Sequence, residues 1–392
     1  MSTTVNNTNS RSPSSDIEGA DSDRANNGKA NNSSTPVRSL AARYYTDPEV
    51  FKLEQQGVLG RTWQFAGHAS SLREPGDFLT FEIAGESLFC VLTREHEIKA
   101  FYNVCQHRAH QLVKDHGNAQ AIVCPYHAWT YELTGELRGG PNTRAVEGFD
   151  RSGICLTPVR IENYCGFLFA NLDAQARPMD EWFPGVREEL SAFVPHIEQL
   201  QPIEWVEVKE RCNWKVSVEN YSECYHCQLN HPTFANGIVK ASTYDIQPQG
   251  YCLRHTTECQ NLEQMSYPID LDANDTAGQY SSWYLWPMMS FQVYPGNVLN
   301  TYHWRAIDHE NVVLWRGWYS VDGSDKAMLH QLAVQDRETT VEEDIGLVES
   351  VQRGLNSRGY VPGPLVVDPK CGVRSEHSIK VLQRWMKEAV DG

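Results

Sequence analysis

Apolar side chains recur in this chain with two different spacings. From Trp63 to about Asp173 they form short runs punctuated by Gly and Pro, among them Phe78-Leu-Thr-Phe81, Leu88-Phe-Cys-Val-Leu92, Ile98-Lys-Ala-Phe101 and Gly166-Phe-Leu-Phe-Ala170. Runs of this length between turn residues predict a small, largely antiparallel β unit. Helical and mixed segments come next, then aromatic-rich strands from Trp283 to Val321, with hairpin turns expected around Tyr294-Pro-Gly-Asn297 and Asp308-His-Glu-Asn311. Apolar positions return at helical spacing from about Lys326 to Gly354 and from Ser375 to Ala389. No internal repeat is present. The whole reads as an α+β chain, with an antiparallel β domain followed by a domain whose antiparallel sheet is flanked by helices.

The first residues break this pattern. Up to about Pro36 the chain is Ser, Asn, Thr and Asp with almost no large apolar side chain, too little to offset the entropy of ordering. The expected organisation is a disordered tail over 1–38 and a helical segment over 39–60 that packs on the second domain. The β domain then occupies 61–173 and the second domain 174–392. Within 39–60 the helical pattern runs from Ser39-Leu-Ala-Ala-Arg-Tyr-Tyr45 through Phe51, Leu53 and Val58.

Charge narrows the partners. Lys and Arg number 34 against 50 Asp and Glu, a formal charge of −16. Nucleic acid and anionic membranes want basic surfaces, so neither is expected as a partner. No apolar run is long enough to span a bilayer, and no basic stretch followed by an apolar core opens the chain. Eleven cysteines in a chain of this length, several beside histidines, suggest metal ligation in a reducing cytoplasm rather than a disulfide framework. Cys212, Cys224, Cys227, Cys252, Cys259 and Cys371 are expected to pack as small apolar groups.

Two constellations carry chemistry. The first is Cys105-Gln-His107, sixteen residues, then Cys124-Pro-Tyr-His127. Each half offers one thiolate and one imidazole. Four such ligands could bind zinc, but zinc fingers usually put their cysteines on one knuckle and their histidines on a helix. Two like, mixed halves suit a binuclear cluster with both thiolates on one iron and both imidazoles on the other.

The second is Asn213-Trp-Lys-Val-Ser-Val-Glu-Asn-Tyr-Ser-Glu223-Cys-Tyr-His226-Cys-Gln-Leu-Asn-His231-Pro232. On a helix Glu223 and His226 share a face. His231 is biased out of the helical region by Pro232, so a helix ending there turns it back towards His226. Two imidazoles and one carboxylate on one side of an iron leave positions open for dioxygen. Glu223 could supply the carboxylate, as could Asp336, Glu338, Glu342, Glu343 or Asp344 on the late helix. Val341, Ile345, Val348, Val351 and Leu355 define an apolar stripe there, and Asp344 falls within it. Glu342 and Glu343 project away by ~90° or more on that geometry. A carboxylate among core-facing residues needs a partner, either a metal or a buried basic group.

The first constellation, continued by Ala-Trp-Thr-Tyr and Leu133-Thr-Gly-Glu-Leu137, with Arg108 and Leu112 in place, resembles the Rieske motif of the aromatic-ring-hydroxylating oxygenases. Ala109 stands where that family often has Gly. The resemblance implies a Rieske antiparallel β domain, a catalytic domain of helix-grip type, a [2Fe–2S] cluster on Cys105, His107, Cys124 and His127, and a mononuclear Fe(II) on His226, His231 and Asp344. It assigns Glu223 to a bridging carboxylate that passes electrons from a neighbouring subunit's cluster in a homotrimer or multiple of three, by way of His107 or His127 and then His226 or His231. Most of the family has Asp there; Glu is similar to the carnitine-type members.

That stretch, with Leu347-Val-Glu-Ser-Val-Gln-Arg-Gly-Leu-Asn-Ser-Arg-Gly-Tyr360 and Ser375-Glu-His377, resembles the carnitine, choline and betaine monooxygenase branch. The implied activity is hydroxylation of a small quaternary ammonium compound such as carnitine, glycine betaine, proline betaine or choline. Attack next to nitrogen gives a hemiaminal whose collapse cleaves C–N. Such a cation is recognised by aromatic faces. Tyr221, Trp283, Tyr284, Trp286, Tyr294, Tyr302 and Trp304 could supply them, with two or three touching substrate and the rest packing as core. No nucleotide fingerprint or plant-type ferredoxin spacing occurs, so NAD(P)H and flavin chemistry is expected on a separate reductase. The alternatives are ring hydroxylation of an aromatic acid, an electron carrier without the second metal, and a zinc-binding regulatory protein.

Overall fold

The computed structural model describes residues 36–368, 370 and 372–391. All but the last three residues of the expected tail, and Cys371, lie outside this range. Ten strands come after the N-terminal segment: β1 (Gln64–His68), β2 (Asp77–Ile83), β3 (Glu86–Leu92), β4 (Ile98–Tyr102), β5 (His116–Asn118), β6 (Ile122–Val123), β7 (Thr130–Tyr131), β8 (Leu137–Gly139), β9 (Pro158–Tyr164) and β10 (Phe167–Asn171). They build a seven-stranded sheet in the order β1-β10-β9-β4-β3-β2-β5 and a three-stranded sheet β6-β7-β8. All pairs are antiparallel, and the four runs read from the sequence fall in β2, β3, β4 and β10.

A second seven-stranded antiparallel sheet is made by β11 (Gln201–Glu210), β12 (Asp245–Gln249), β13 (Cys252–Glu258), β14 (Gln279–Leu285), β15 (Met289–Tyr294), β16 (Val298–Ala306) and β17 (Val312–Ser320). Its order is β11-β17-β16-β15-β14-β13-β12. Both predicted hairpins form, between β15 and β16 and between β16 and β17. The two sheets share a core in which Trp63, Tyr164, Phe167 and Phe169 meet Trp283, Leu285, Phe291 and Val293. Trp283, Tyr284 and Trp286 are buried as core, as expected for most strand aromatics.

Helices cover the far side of the second sheet. Asp47 caps the Pro48–Glu54 helix through the Glu49 N–H at 2.9 Å, with Pro48 at its first turn. Glu54 is fully buried where its carboxylate takes Lys215 Nζ at 2.5 Å and Trp214 Nε1 at 2.8 Å, joining this segment to the Trp214–Tyr221 helix. The late helical stretch is not continuous α-helix. Lys326–Asp336 gives way to a π-helical turn over Arg337–Val341 before Glu342–Leu355. The wider turn shifts the register of the Glu342–Leu355 helix, a device often found beside functional sites. The apolar stripe drawn through Val351 is corrected: Val348 and Leu355 are buried but Val351, at the edge of their face, is half exposed, and Gln352 takes the buried position and accepts the Asn213 N–H at 2.9 Å. The last helix spans His377–Val390. No helix among the described residues is long and apolar enough to cross a membrane.

Candidate functional site

The two Cys/His loops are the same turn built twice. Cys105 N–H donates to His110 O at 2.9 Å and Cys124 N–H to Trp129 O at 2.8 Å, while Ala109 and Ala128 return N–H bonds to the carbonyls of Cys105 and Cys124 at 3.0 and 2.9 Å. Ala109 and Ala128 both adopt φ near +55°. A left-handed residue is needed there to fold the loop back, which explains why glycine suits the position occupied by Ala109. Cys105 and Cys124 are buried while His107 and His127 reach the surface side by side, ring centroids 4.8 Å apart. His127 Nδ1 is buried without a hydrogen-bond partner, and Trp129 stacks on His107 at 4.5 Å. The Tyr131 hydroxyl lies 3.3 Å from Cys105 Sγ and takes the Gln106 N–H at 3.0 Å. Burial and the neighbouring thiols push Tyr131 upward, so it keeps its proton. Two sheltered sulfurs and an unpartnered imidazole nitrogen on matched loops fit a [2Fe–2S] cluster.

The second constellation departs from the sequence reading locally. The Trp214–Tyr221 helix ends before Glu223, and the next helical turn begins only at Cys227. Glu223 and His226 therefore share a turn rather than a helix face. The Glu223 carboxylate accepts the N–H groups of Tyr225 and His226 and holds His226 Nδ1. The same turn brings Cys224 and Cys227 to a Cα separation of 4.9 Å, where they form a disulfide. Their expected role as lone apolar fillers is thus corrected: residues three apart in a turn face one another, as they would not in an extended segment. Cys212 and Cys252 are buried thiols and Cys259 is partly buried.

His231 ends the short Cys227–Asn230 helix with φ −120° and ψ 65°, as Pro232 requires, and turns back onto His226. The two Nε2 atoms lie 3.0 Å apart. Asp344 Oδ1 lies 3.0 Å from His231 Nε2 and 3.7 Å from His226 Nε2. The outer nitrogen of each ring is held by a carboxylate: Glu223 on His226, and Glu343 Oε2 at 2.7 Å on His231. Such contacts place the Nδ1 proton outward and aim both Nε2 atoms at a carboxylate oxygen, a donor set that a metal ion would complete by displacing the proton of His231. Among the described residues, His226, His231 and Asp344 form the group able to hold a metal ion. Burial lowers the pKa of His231, but hydrogen bonds and charge from Asp344 and then Glu343 outweigh it and raise it to about 9. Glu343, expected to point away, is corrected: behind the π-helical turn it reaches His231.

These groups open into a cavity whose aromatic walls include Tyr221, Tyr244, Tyr280, Tyr294, Tyr302 and Trp304. Tyr244 and Tyr280 escaped the sequence reading; Tyr280 is an inward position on β14, and Tyr244, just before β12, carries no periodic signal. The formally charged lining residues are Glu210, Glu223 and Asp344, and no Lys or Arg lines it. Burial pushes Glu210 up to about 7. Glu223 and His226 also line an open groove with Leu347, Val351 and Tyr360.

Residues 62–150 match the Rieske [2Fe-2S] domain family, and residues 197–392 match the ring hydroxylating alpha subunit (catalytic domain) family. The chain is 32% identical over 356 residues to the carnitine monooxygenase oxygenase subunit of Acinetobacter baumannii, covering 88% of this chain and 93% of that protein. It is 25% identical to the glycine betaine monooxygenase oxygenase subunit of Pseudomonas aeruginosa, covering 83% and 84%. The crystal structure of the quaternary ammonium Rieske monooxygenase CntA with L-carnitine superposes with a TM-score of 0.79 at 30% identity, over 90% of this chain and 96% of that one. Naphthalene 1,2-dioxygenase, 19% identical at a TM-score of 0.73, shares the fold. With matched Cys/His loops in one half and a convergent two-histidine, one-carboxylate cluster in the other, the chain belongs to the Rieske-type, ring-hydroxylating alpha-subunit family of oxygenases, whose cofactors are a [2Fe–2S] cluster and a mononuclear iron.

Proposed function

We propose that this chain is the oxygenase component of a two-component monooxygenase acting on a small quaternary ammonium compound such as carnitine, glycine betaine, proline betaine or choline. The observation that carries this reading is the cavity itself, walled by tyrosines and Trp304, with Glu210, Glu223 and Asp344 in its lining and no Lys or Arg. A cation without N–H groups is held by such faces and fields, whereas an aromatic acid brings a negative charge with no ammonium to offset it.

In this reading residues 61–173 bear the cluster on Cys105, His107, Cys124 and His127, and residues 174–392 bear the iron on His226, His231 and Asp344. With both groups bound, electrons from a separate NAD(P)H-dependent flavin or ferredoxin reductase allow one atom of O2 to enter a C–H bond while the other leaves as water. The protein residues do the positioning. Glu223 and Glu343 fix the two rings with Nε2 inward, and with Asp344 these rings present the three groups that would hold the iron, which would supply the binding and activation of O2. Tyr221 and Tyr302, ring centroids 4.9 Å apart, shape the wall on which an N-methyl group rests.

Glu223 is assigned as the bridge by which electrons arrive from a neighbour. The chain then works as a homotrimer or multiple of three, with the exposed tip at His107, Tyr126 and His127 docking in the groove beside Glu223 and His226. A solved quaternary ammonium Rieske monooxygenase, 30% identical at a TM-score of 0.80, gives insights into inter-subunit electron transfer in that protein. A cytoplasmic location accords with six thiols among the described residues that are neither cluster ligands nor in the Cys224–Cys227 disulfide.

Oxygen uptake by the iron-loaded protein, driven by a surrogate reductase, tests the substrate. Uptake coupled to product with ammonium compounds and not with benzoate-type acids is expected; the reverse ranking refutes the reading. Glu223→Gln should slow reoxidation of the reduced cluster on mixing with substrate and O2 while leaving iron content intact. Unchanged reoxidation would remove the bridging role.

A further inference from the structure

On the sheet side of the cavity, three neighbouring strands present a polar row among the aromatics. His255 on β13 is directly opposite Ser282 on β14, which is opposite Gln292 on β15, and all three line the cavity. Gln292 is already satisfied: its amide N–H donates to Tyr221 Oη at 2.9 Å and its carbonyl accepts from Tyr294 Oη at 3.2 Å. His255 is not. It is 3% exposed, its Nδ1 lies 3.0 Å from Tyr244 Oη, and its Nε2 is buried without a partner.

The protonation of this ring is set by its surroundings. Burial, with the nearby His377 adding to it, lowers His255 to about 3, so the ring is neutral. Burial also pushes Tyr244 up, so its phenol keeps a proton, and His255 Nδ1 is the acceptor within reach. With Tyr244 donating to Nδ1, the ring proton sits on Nε2. A buried N–H with no acceptor costs about 1–3 kcal/mol.

Among the described residues none accepts from this donor. Arg316 lies under the Tyr302 ring at 4.0 Å and is paired with Asp336. We propose that His255 determines specificity among quaternary ammonium compounds: its Nε2–H, beside Ser282, anchors the carboxylate of a zwitterionic, betaine-type substrate. The proposal rests on the ammonium reading above and goes further, separating carboxylate-bearing substrates from amino alcohols. A neutral N–H bonds an anionic oxygen roughly twice as strongly as a neutral one. It also holds a carboxylate without placing a cation where the ammonium must lie.

The test compares holoenzyme and variants with glycine betaine, carnitine and choline, reading the Kd by calorimetry and kcat/KM by coupled oxygen uptake. In His255→Phe the ratio of carboxylate to choline affinity should fall roughly ten- to a hundredfold. His255→Gln, which keeps an N–H donor, should recover part of that ratio. Tyr244→Phe, which releases the ring to take its proton on Nδ1, should lie between. Iron content and the EPR spectrum of the reduced cluster confirm that each variant is folded. An equal loss for betaines and choline makes His255 merely structural and overturns the proposal, as does no loss at all. If the wild-type protein binds all ammonium compounds without regard to the carboxylate, the specificity proposal fails and the ammonium reading survives. Binding of aromatic acids alone overturns both.

Discussion

Substituting Glu54 by Gln should strip a buried ammonium of its counter-ion without changing the shape of its pocket. Glu54 is 0% exposed and Lys215 is 3% exposed, and the carboxylate takes both Lys215 Nζ at 2.5 Å and Trp214 Nε1 at 2.8 Å. Breaking such a pair from one side leaves a charge that the interior cannot solvate, at a cost of about 3–5 kcal/mol. The Gln carbonyl can still accept from Trp214, so the loss comes mainly from the stranded Lys215. The same geometry gives the sign of the pH dependence. Burial already lowers Lys215, against the pull of Glu54. Without Glu54 the pKa falls further, so the folded state binds fewer protons than the unfolded one between that pKa and the ordinary lysine value. Stability is then regained as pH rises towards about 9–10, by linkage. Urea unfolding monitored by tryptophan fluorescence at about pH 7 and pH 9 checks both points, with Glu54→Gln/Lys215→Met as the partner variant. The double variant should lie within about 1–2 kcal/mol of wild type, because it leaves no stranded charge. A single-variant loss below about 1 kcal/mol, or a double variant no better than the single, refutes the argument.

Three further outcomes concern the two centres. Because His231 in the metal-free site holds a proton up to about 9, a divalent ion must displace it; Co(II) affinity should rise about tenfold per pH unit from pH 6 to 8 and level off near 9. A flat profile, measured by titrating the metal-free protein, contradicts that coupling. Glu343→Gln should weaken metal binding about 10- to 100-fold through the freed His231 ring, whereas Glu342→Gln on the exposed side should not. Tyr131→Phe removes the hydroxyl beside Cys105 Sγ and should lower the cluster's midpoint potential by roughly 50 mV, about 1 kcal/mol for one electron; an unchanged voltammogram excludes that hydrogen bond.

Much of this protein is local and therefore legible along the chain. Short apolar runs marked strands of both sheets, because Gly and Pro end a strand and several of these strands are buried along most of their length. Cys105, His107, Cys124 and His127 were visible because each pair sits within one tight turn, and His231 because Pro232 forbids the helix to continue. The features that escaped depend on register and on partners distant in sequence. Glu343 reaches His231 from beside Asp344, and Val351 sits at the edge of the helix face where Val348, Gln352 and Leu355 are buried, so a wheel drawn from apolar residues alone misplaced both. Glu223 and His226 belong to a turn because Glu223 caps the backbone beyond it, and that turn also pairs Cys224 with Cys227. His255 is one inward position on an ordinary strand. Only its neighbours across β14 and Tyr244 from a separate segment make its Nε2 an unanswered donor in the cavity. Ligand types and spacings are written in the sequence; which way each side chain faces, and which group lies opposite it, was decided by tertiary packing.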